Sequence, residues 1–207
     1  ETLPAGGELA LGREVTAVAR GRGEVVLRHG DDGAGTAARR AVFCAGLWSD
    51  RLARAAGADP DPRILPFRGQ YLRLAEEACE LVKGMIYPVP DPALPFLGVH
   101  LTRHISGEVW AGPSALLVAA RDAYRIGHVR LRDLRETVAW PGTWRMAARY
   151  WRSGLAEIRL AASRRAFAAA CAAYVPALRP EHFLPGPAGV RAQAVARDGR
   201  LVDDFLF

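Results

Sequence analysis

The hydrophobic pattern of this chain changes period near residue 131, and this change constrains the fold more than any other feature. Before it, short apolar segments alternate with glycine, proline and aspartate turns, a pattern typical of β-strands. From about 131 to 178, apolar residues such as Leu131, Leu134 and Val138 recur at helical spacing. Strand-like segments and glycine turns return after 178. Strands followed by a block of helices predict an α+β fold.

The first sixty residues predict a three-stranded meander that leads into a turn and a helix. The strands are expected at 14–19, 24–29 and 38–46, and the last is expected to be buried on both faces because its end is apolar. A helix is expected over about 49–57, with Ser49 as its N-cap and Asp50 in its first turn.

A proline-rich connector over 58–66 is expected to precede a mostly antiparallel sheet. The strands of this sheet are expected within four segments: 68–74, 81–89, 96–105 and 107–114. The proline-rich loop YPVPDPALP interrupts them. In the helical region, Ser163 is expected to cap a helix that ends at Pro176. Three tryptophans at helical spacing are expected to pack in the core or between helices: Trp140, Trp144 and Trp151.

Composition excludes several classes of protein. The net charge is +6, but the arginines are spread along the chain, whereas a nucleic-acid-binding protein is expected to concentrate them on one face. No apolar run approaches the ~18 residues of a membrane span, and the first residues do not resemble a signal peptide. Cys44, Cys79 and Cys171 are too few and too scattered for a disulfide framework. We therefore expect a cytoplasmic protein without a nucleic-acid partner, and leave peripheral attachment to the inner membrane open.

Several long phrases resemble one family. They are CAGLWSD, PFRGQYLRL, MIYPVPDPALPFLGVHLTR, VAWPGTW, YWRSGLAE and GPAGVRAQA. Together they resemble the L-2-hydroxyglutarate dehydrogenase/oxidase group of the FAD-dependent D-amino-acid-oxidase-like (DAO) superfamily. The resemblance implies a truncated FAD-dependent oxidoreductase fold. Residues 1–61 would belong to the FAD-binding domain, 62–178 would form the substrate domain, and 179–207 would return to the FAD-binding domain.

The resemblance also indicates what these 207 residues lack. Members of the superfamily open with a strand-turn-helix that carries G-x-G-x-x-G and holds the FAD pyrophosphate. Here Gly30, Gly33 and Gly35 lie in a polar hairpin loop with no helix after them, so their spacing carries no such meaning. We therefore expect an internal fragment of a longer flavoenzyme that binds FAD weakly by itself.

The family's chemistry suggests a set of site residues. His100 is the candidate base, and Arg191 is the candidate ligand of the substrate carboxylate, although Ala192 stands where many relatives have proline. The remaining candidates fall into two groups. The expected substrate contacts are Arg103, Arg68 and Tyr87, and the expected flavin contacts are Ala45, Gly46, Leu47, Trp48 and Gln70.

The residues alone leave other interpretations open. Arg191 could pair with Asp203 or Asp204, and His100 could simply bond a backbone carbonyl. Tyr71 and Tyr87 could bond a carboxylate or only pack against their neighbours. In a strand, His100 and His104 would lie about 13 Å apart, too far to share one metal ion, so no metal site is expected.

The resemblance implies that the full enzyme oxidises L-2-hydroxyglutarate, a small dicarboxylate, and transfers a hydride to FAD. It assigns no electron acceptor. Two alternatives stay open: another substrate of the superfamily, such as an amino acid or glycerol 3-phosphate, or a non-enzymatic basic binding module.

Overall fold

The computed structural model describes residues 6–30, 33–89, 98–204 and 206. The chain separates into two compact units, Glu1–Pro60 and Asp61–Phe207. The second unit contains both the predicted substrate domain and the segment 179–207. The assignment of these segments to an FAD-binding domain and a substrate domain stays a prediction.

The first unit contains an antiparallel meander and one short helix. Its strands are β1 (Val15–Arg20), β2 (Val25–His29) and β3 (Gly35–Ala38), paired in that order. A 3₁₀ turn, Gly46–Trp48, leads into α1 (Ser49–Ala55). The first two strands and the helix therefore form where the sequence predicts them.

The third predicted strand and the predicted helix cap are wrong. β3 ends at Ala38, and Val42 in the apolar run that follows it is 87% exposed. An apolar run forms a strand only where a neighbouring strand pairs with its backbone, and within the described residues no strand pairs with 39–45. Ser49 is the first residue of α1 and not its cap, because the 3₁₀ turn already begins the helical path. Asp50 lies in the first turn, as predicted, and is buried.

The second unit is built on an antiparallel sheet whose central strand is β4 (Arg63–Leu74). The other strands are β5 (Met85–Ile86), β6 (His100–Arg103), β7 (Val109–Gly112), β8 (Leu116–Leu117) and β9 (Phe183–Val195). Their order is β5-β6-β7-β4-β8, and β9 pairs with nearly the whole length of β4. The antiparallel sheet is confirmed, but 63–66 belongs to a strand and not to a connector. Much of the predicted proline loop lies in 90–97, outside the described residues.

Helices cover parts of both faces of this sheet. They are α2 (Glu76–Cys79), α3 (Leu131–Ala139), α4 (Pro141–Ala162) and α5 (Arg164–Ala172). The Ser163 hydroxyl accepts the Ala166 N–H at 3.2 Å, which confirms the predicted cap of α5. α5 ends at Ala172, before Pro176. Among the described residues, none of the helices combines the length and the apolar character that a membrane span requires.

Two clusters of buried side chains hold the second unit together. One joins α2 and α5 to the sheet and includes Leu74, Leu101 and Phe183. The other packs Trp140 and Met146 against the opposite end of β4. The Trp140 indole N–H donates to the Val195 carbonyl at 2.9 Å. Trp140 is therefore a core residue, as predicted.

The other two tryptophans of the stripe are not core residues, although Trp144 contacts the preceding helix, which is the second position that the prediction allowed. Trp144 is 60% exposed and Trp151 is 55% exposed. The Trp144 indole N–H donates to the Val138 carbonyl at 2.8 Å, so its ring lies along the α3–α4 junction and not in the core. Helical spacing placed all three residues on one helix face, but the sheet covers only the beginning of that face.

Candidate active site

Strand register places Arg191 and Tyr71 on the same face of the sheet. Arg191 on β9 pairs directly with Phe67 on β4, and directly opposed residues of an antiparallel pair share a face. Tyr71 lies four residues after Phe67 on β4, and an even separation keeps the side chain on the same face.

The same reasoning brings His100 to this face. Arg73, two residues after Tyr71, pairs with Trp110 on β7, and Trp110 pairs with Thr102 on β6. His100 lies two residues before Thr102, so it shares their face. Tyr87 joins them, since its ring stacks on the His100 ring with centroids 4.4 Å apart. We call this surface the aromatic face and define it by five residues: Tyr71, Tyr87, His100, Trp110 and Arg191.

His100 is set up to act as a neutral imidazole. Its Nδ1 lies 3.2 Å from the Gly98 carbonyl, and because a carbonyl only accepts, Nδ1 carries the proton of that hydrogen bond. Nε2 is then the unprotonated nitrogen and can accept a proton. Burial lowers the pKa of His100, and the bond to Gly98 opposes this in part. The alternative in which His100 bonds a backbone carbonyl is therefore observed, and this bond leaves Nε2 available as a base.

Tyr87 is half-exposed, and its position is fixed by two contacts. Its hydroxyl lies 3.2 Å from the Thr102 hydroxyl, and its ring covers one side of His100. It therefore limits where a ligand can approach the imidazole.

Tyr71 lies between the other members of the aromatic face. Its ring contacts the Trp110 ring with centroids 5.9 Å apart. Burial and the neighbouring Tyr87 raise the pKa of Tyr71, while Arg191 acts in the opposite direction. Its hydroxyl is therefore protonated at neutral pH and lies within electrostatic range of both residues.

Trp110 contributes a polar atom that lacks an acceptor. Its Nε1 is buried and has no hydrogen-bond partner among the described residues. A buried N–H without an acceptor is costly. The aromatic face therefore combines donors, a base and a cation, a set that suits an anionic ligand with a hydroxyl group.

Arg68 and Gln70 have structural roles on the opposite face of β4. The Arg68 guanidinium is buried, donates to the Tyr124 carbonyl at 3.2 Å and bonds the Gln70 side chain. The Gln70 amide donates to the Gly186 carbonyl at 2.8 Å and so ties down the irregular register between β4 and β9. Gln70 lies one position and Arg68 three positions before Tyr71, so alternation along β4 points both side chains away from the aromatic face.

Arg103 also lies away from the aromatic face. It is three residues after His100, and its guanidinium donates to the Cys79 and Val82 carbonyls at 2.8 and 3.0 Å. A third bond joins it to the Glu80 carboxylate at 2.8 Å. These bonds fix the end of α2. Arg68, Gln70 and Arg103 are therefore not part of the proposed site.

The predicted flavin turn lies in the first unit. Gly46 begins the 3₁₀ turn with a φ of +51°, a conformation that other residues rarely adopt, and nothing lies within 4 Å of where its Cβ would be. Leu47 is buried, and Trp48 is 41% exposed. Ala45 precedes the turn. The space beside Gly46 is compatible with close approach of a planar group to the backbone.

Within the described ranges, no three side chains of His, Cys, Asp or Glu come close enough to share a metal ion. Trp110 is the member of the aromatic face that the sequence does not suggest, whereas Tyr71 is suggested only as a possible carboxylate ligand. Strand alternation could have indicated Tyr71, since it is out of phase with Arg68 and Gln70.

The fold is that of an FAD-containing oxidoreductase. It is similar to the solved structure of L-α-glycerophosphate oxidase from Mycoplasma pneumoniae with FAD bound. The TM-score is 0.57 at 19% identity, and the match covers 88% of this chain and 39% of that one. The family model described as DAO, FAD dependent oxidoreductase, matches residues 3–206. The chain belongs to this family.

Curated relatives indicate one group of enzymes within this family. L-2-hydroxyglutarate dehydrogenase of Escherichia coli K12 is 42% identical over 202 residues, which are 98% of this chain and 48% of the relative. The human mitochondrial L-2-hydroxyglutarate dehydrogenase is 45% identical over 166 residues, which are 80% of this chain and 36% of the relative. The chain therefore spans about half the length, or less, of the curated relatives it matches.

Proposed function

We propose that the full-length protein that contains this chain oxidises L-2-hydroxyglutarate to 2-oxoglutarate with FAD as its cofactor. The proposal is supported by one observation above all: a cation and a neutral imidazole, Arg191 and His100, lie on one face of the sheet. A 2-hydroxy acid presents a carboxylate beside a hydroxyl group, so it requires both. The relatives named L-2-hydroxyglutarate dehydrogenase direct the choice of substrate.

Arg191 would bind a carboxylate of the substrate. A guanidinium offers two parallel N–H groups that match the two oxygens of a carboxylate. This contact would hold the substrate over the sheet and exclude water from its side of the site. Orientation of this kind lowers the entropic part of the barrier to reaction.

His100 would accept the hydroxyl proton at Nε2. Its Nδ1 is held by the Gly98 carbonyl, which keeps Nε2 as the acceptor and orients the ring. Tyr87, stacked on the other side of the ring, would restrict the imidazole to this orientation.

FAD, when bound, supplies the acceptor for the hydride that leaves C2 of the substrate. The residues proposed to contact it are those of the turn in the first unit: Ala45, Gly46, Leu47 and Trp48. The open space beside Gly46 supports this assignment, because any side chain there would fill it.

The test is a substrate panel with the full-length protein and an artificial electron acceptor. The panel contains L-2-hydroxyglutarate, D-2-hydroxyglutarate, L-glutamate and glycerol 3-phosphate. We expect turnover of L-2-hydroxyglutarate alone. If glutamate or glycerol 3-phosphate is turned over in preference, the proposed substrate is wrong but the protein is still an oxidoreductase. If no compound is turned over, the proposal is refuted.

A matched pair of variants tests the role of Arg191. Arg191→Lys keeps the charge but loses the bidentate contact, and should lower kcat/KM by roughly tenfold or more, as expected for lost hydrogen bonds to a charged group. Arg165→Lys, at an exposed position on α5, serves as the control and should leave kcat/KM unchanged. Equal kinetics for the two variants would remove Arg191 from the site.

We infer a cytoplasmic location and leave peripheral attachment to the inner membrane to experiment. The arginines are spread along the sequence, so their distribution does not point to a particular macromolecular partner. Fractionation of cells that express the full-length protein, with a high-salt wash of the membranes, distinguishes the two locations.

A further inference from the structure

We propose that a cavity between α4 and the paired strands β4 and β8 binds a neutral aromatic molecule that carries one hydroxyl group. The cavity has a volume of about 440 Å³, which is within the range of small-molecule sites. None of the five residues of the aromatic face is among the described residues that line it. The proposal therefore concerns a second site and does not rest on the proposed function.

Apolar side chains from the sheet and from α4 form the walls of this cavity. Phe67 on β4 pairs with Leu117 on β8, and both line the cavity. α4 adds the aromatic rings of Tyr150 and Trp151, together with Leu155. Trp151 and Leu155 are more than half exposed, so a ligand would remove apolar surface from water. The aromatic side chains favour an aromatic ligand, because rings pack well against each other in offset or edge-to-face arrangements.

The local structure of α4 leaves this space open. The helix is kinked at Tyr150, whose φ of −112° and ψ of 20° are not helical. Gly154 follows one turn later and lines the cavity. Outside the backbone of its own helix, no described atom lies within 4 Å of where a Cβ at position 154 would be. Glycine weakens a helix interior relative to alanine, and here it keeps the cavity wide.

Glu157 supplies a hydrogen-bond acceptor in this apolar setting. Its Oε2 accepts the Ala115 N–H at 2.7 Å, and the other carboxylate oxygen can accept a further donor. Burial raises the pKa of Glu157, because the surroundings disfavour the charged form. A ligand hydroxyl that donates to this carboxylate would stabilise the ionised form and fix the orientation of the ligand.

The charges around the cavity favour a neutral ligand. Glu157 would repel a carboxylate or a phosphate. A cation would meet Arg152, whose guanidinium carbon lies 5.3 Å from the centroid of the Trp151 ring. A hydroxyl group satisfies Glu157 without adding a charge to either surrounding.

The competing explanation is that a segment outside these 207 residues, or a second copy of the protein, covers the cavity. Two small ligands that differ only in the hydroxyl group test the proposal against it. 1-Naphthol donates one O–H, whereas 1-methoxynaphthalene has the same rings and no donor. Glu157→Gln is suited to the comparison because it keeps the shape of the side chain and removes the charge.

The first measurement is the binding of both ligands to the full-length protein at neutral pH by calorimetry. We expect a Kd for 1-naphthol roughly tenfold lower than for 1-methoxynaphthalene, as expected for a hydrogen bond to a charged group. Glu157→Gln should remove most of this difference, because its single oxygen already accepts the Ala115 N–H. Glu77→Gln, at an exposed position on α2, is the control and should change neither Kd. No binding of 1-naphthol to the wild-type protein, or an unchanged preference in Glu157→Gln, would overturn the proposal.

The second measurement locates the bound ligand. Gly154→Leu places a side chain in the cavity and should raise the Kd of both ligands by roughly tenfold or more, whereas His100→Asn on the aromatic face should leave both unchanged. Circular dichroism checks that the variants fold. Unchanged binding in Gly154→Leu, or weakened binding in His100→Asn alone, would place the ligand elsewhere and overturn the proposal. Since neither readout is turnover, the result is independent of whether the protein oxidises L-2-hydroxyglutarate.

Discussion

At the scale of single residues, the proposed chemistry depends on the protonation of His100. Burial makes the imidazolium less favourable and lowers the pKa of His100 below its ordinary value of 6.5. The base is the neutral form, which exists above the pKa. Activity should therefore persist to more acidic pH than an unperturbed histidine would allow.

The corresponding prediction concerns the pH profile of the full-length enzyme. We expect kcat/KM to fall on the acid side with an apparent pKa below 6.5, and His100→Asn to lose activity across the whole range. His128→Gln is the control, because His128 pairs with Asp122 on an exposed loop. An acid limb above 6.5, or substantial activity in His100→Asn, would argue against His100 as the base.

Residue positions in the site were predictable where alternation along a strand decides them. The odd separation of His100 and Arg103 indicates opposite faces from the sequence alone, and the structure bears this out. The burial of Arg68 was not predictable, because its acceptor is the carbonyl of Tyr124, 56 positions away. A side-chain role that depends on a distant backbone group leaves no local pattern.

At the scale of elements, Glu157 joins the C-terminal half of α4 to the segment between β7 and β8. Its carboxylate accepts the Ala115 N–H at 2.7 Å, beside an apolar cavity of about 440 Å³. Burial raises the pKa of Glu157, although the bond from Ala115 opposes this in part. The pKa of Glu157 is therefore higher in the native state than in the unfolded chain. The ionised carboxylate lowers the free energy of unfolding at neutral pH, and this effect decreases as the pH falls and the group takes up a proton.

This balance predicts opposite effects for two substitutions. Glu157→Gln keeps an oxygen acceptor and removes the charge, so the free energy of unfolding at pH 7 should be equal to or higher than that of the wild type. Glu157→Ala leaves the Ala115 N–H without an acceptor and should lower it by about 1–3 kcal/mol. Urea denaturation at pH 7 and at pH 5 measures both, and any gain from Glu157→Gln should diminish at pH 5. A loss in Glu157→Gln as large as in Glu157→Ala would contradict this account.

The predictability of the elements follows the range of the contacts that form them. The cap of α5 depends on Ser163 and Ala166, three residues apart, and was predicted correctly. The start of β4 was missed because it depends on pairing between Arg63 and Val195, 132 positions away. Three prolines in the local sequence favoured a connector there, and long-range pairing with β9 outweighed them.

At the scale of the whole molecule, the family and the antiparallel sheet were predictable because long phrases such as PFRGQYLRL and GPAGVRAQA are distinctive. In the structure these two phrases form adjacent strands, β4 and β9, so the most recognisable parts of the sequence also form the centre of the sheet. Arg191 lies in one phrase and Tyr71 in the other. The sequence could not indicate that they share a face, because register between strands 120 positions apart is set by the folded sheet.

The last prediction concerns the cofactor and the 207 residues by themselves. Tight FAD binding in such folds relies on backbone N–H groups at a glycine-rich turn and a helix N-terminus, which hold the pyrophosphate. These 207 residues contain no G-x-G-x-x-G segment, so the chain alone should retain little flavin after desalting, whereas the full-length protein should carry about one FAD. Visible absorbance of both proteins after gel filtration measures this, with circular dichroism as the control for folding. Stoichiometric flavin on the folded 207-residue chain would show that its own turns and sheet suffice for binding, and the pyrophosphate argument would then be wrong.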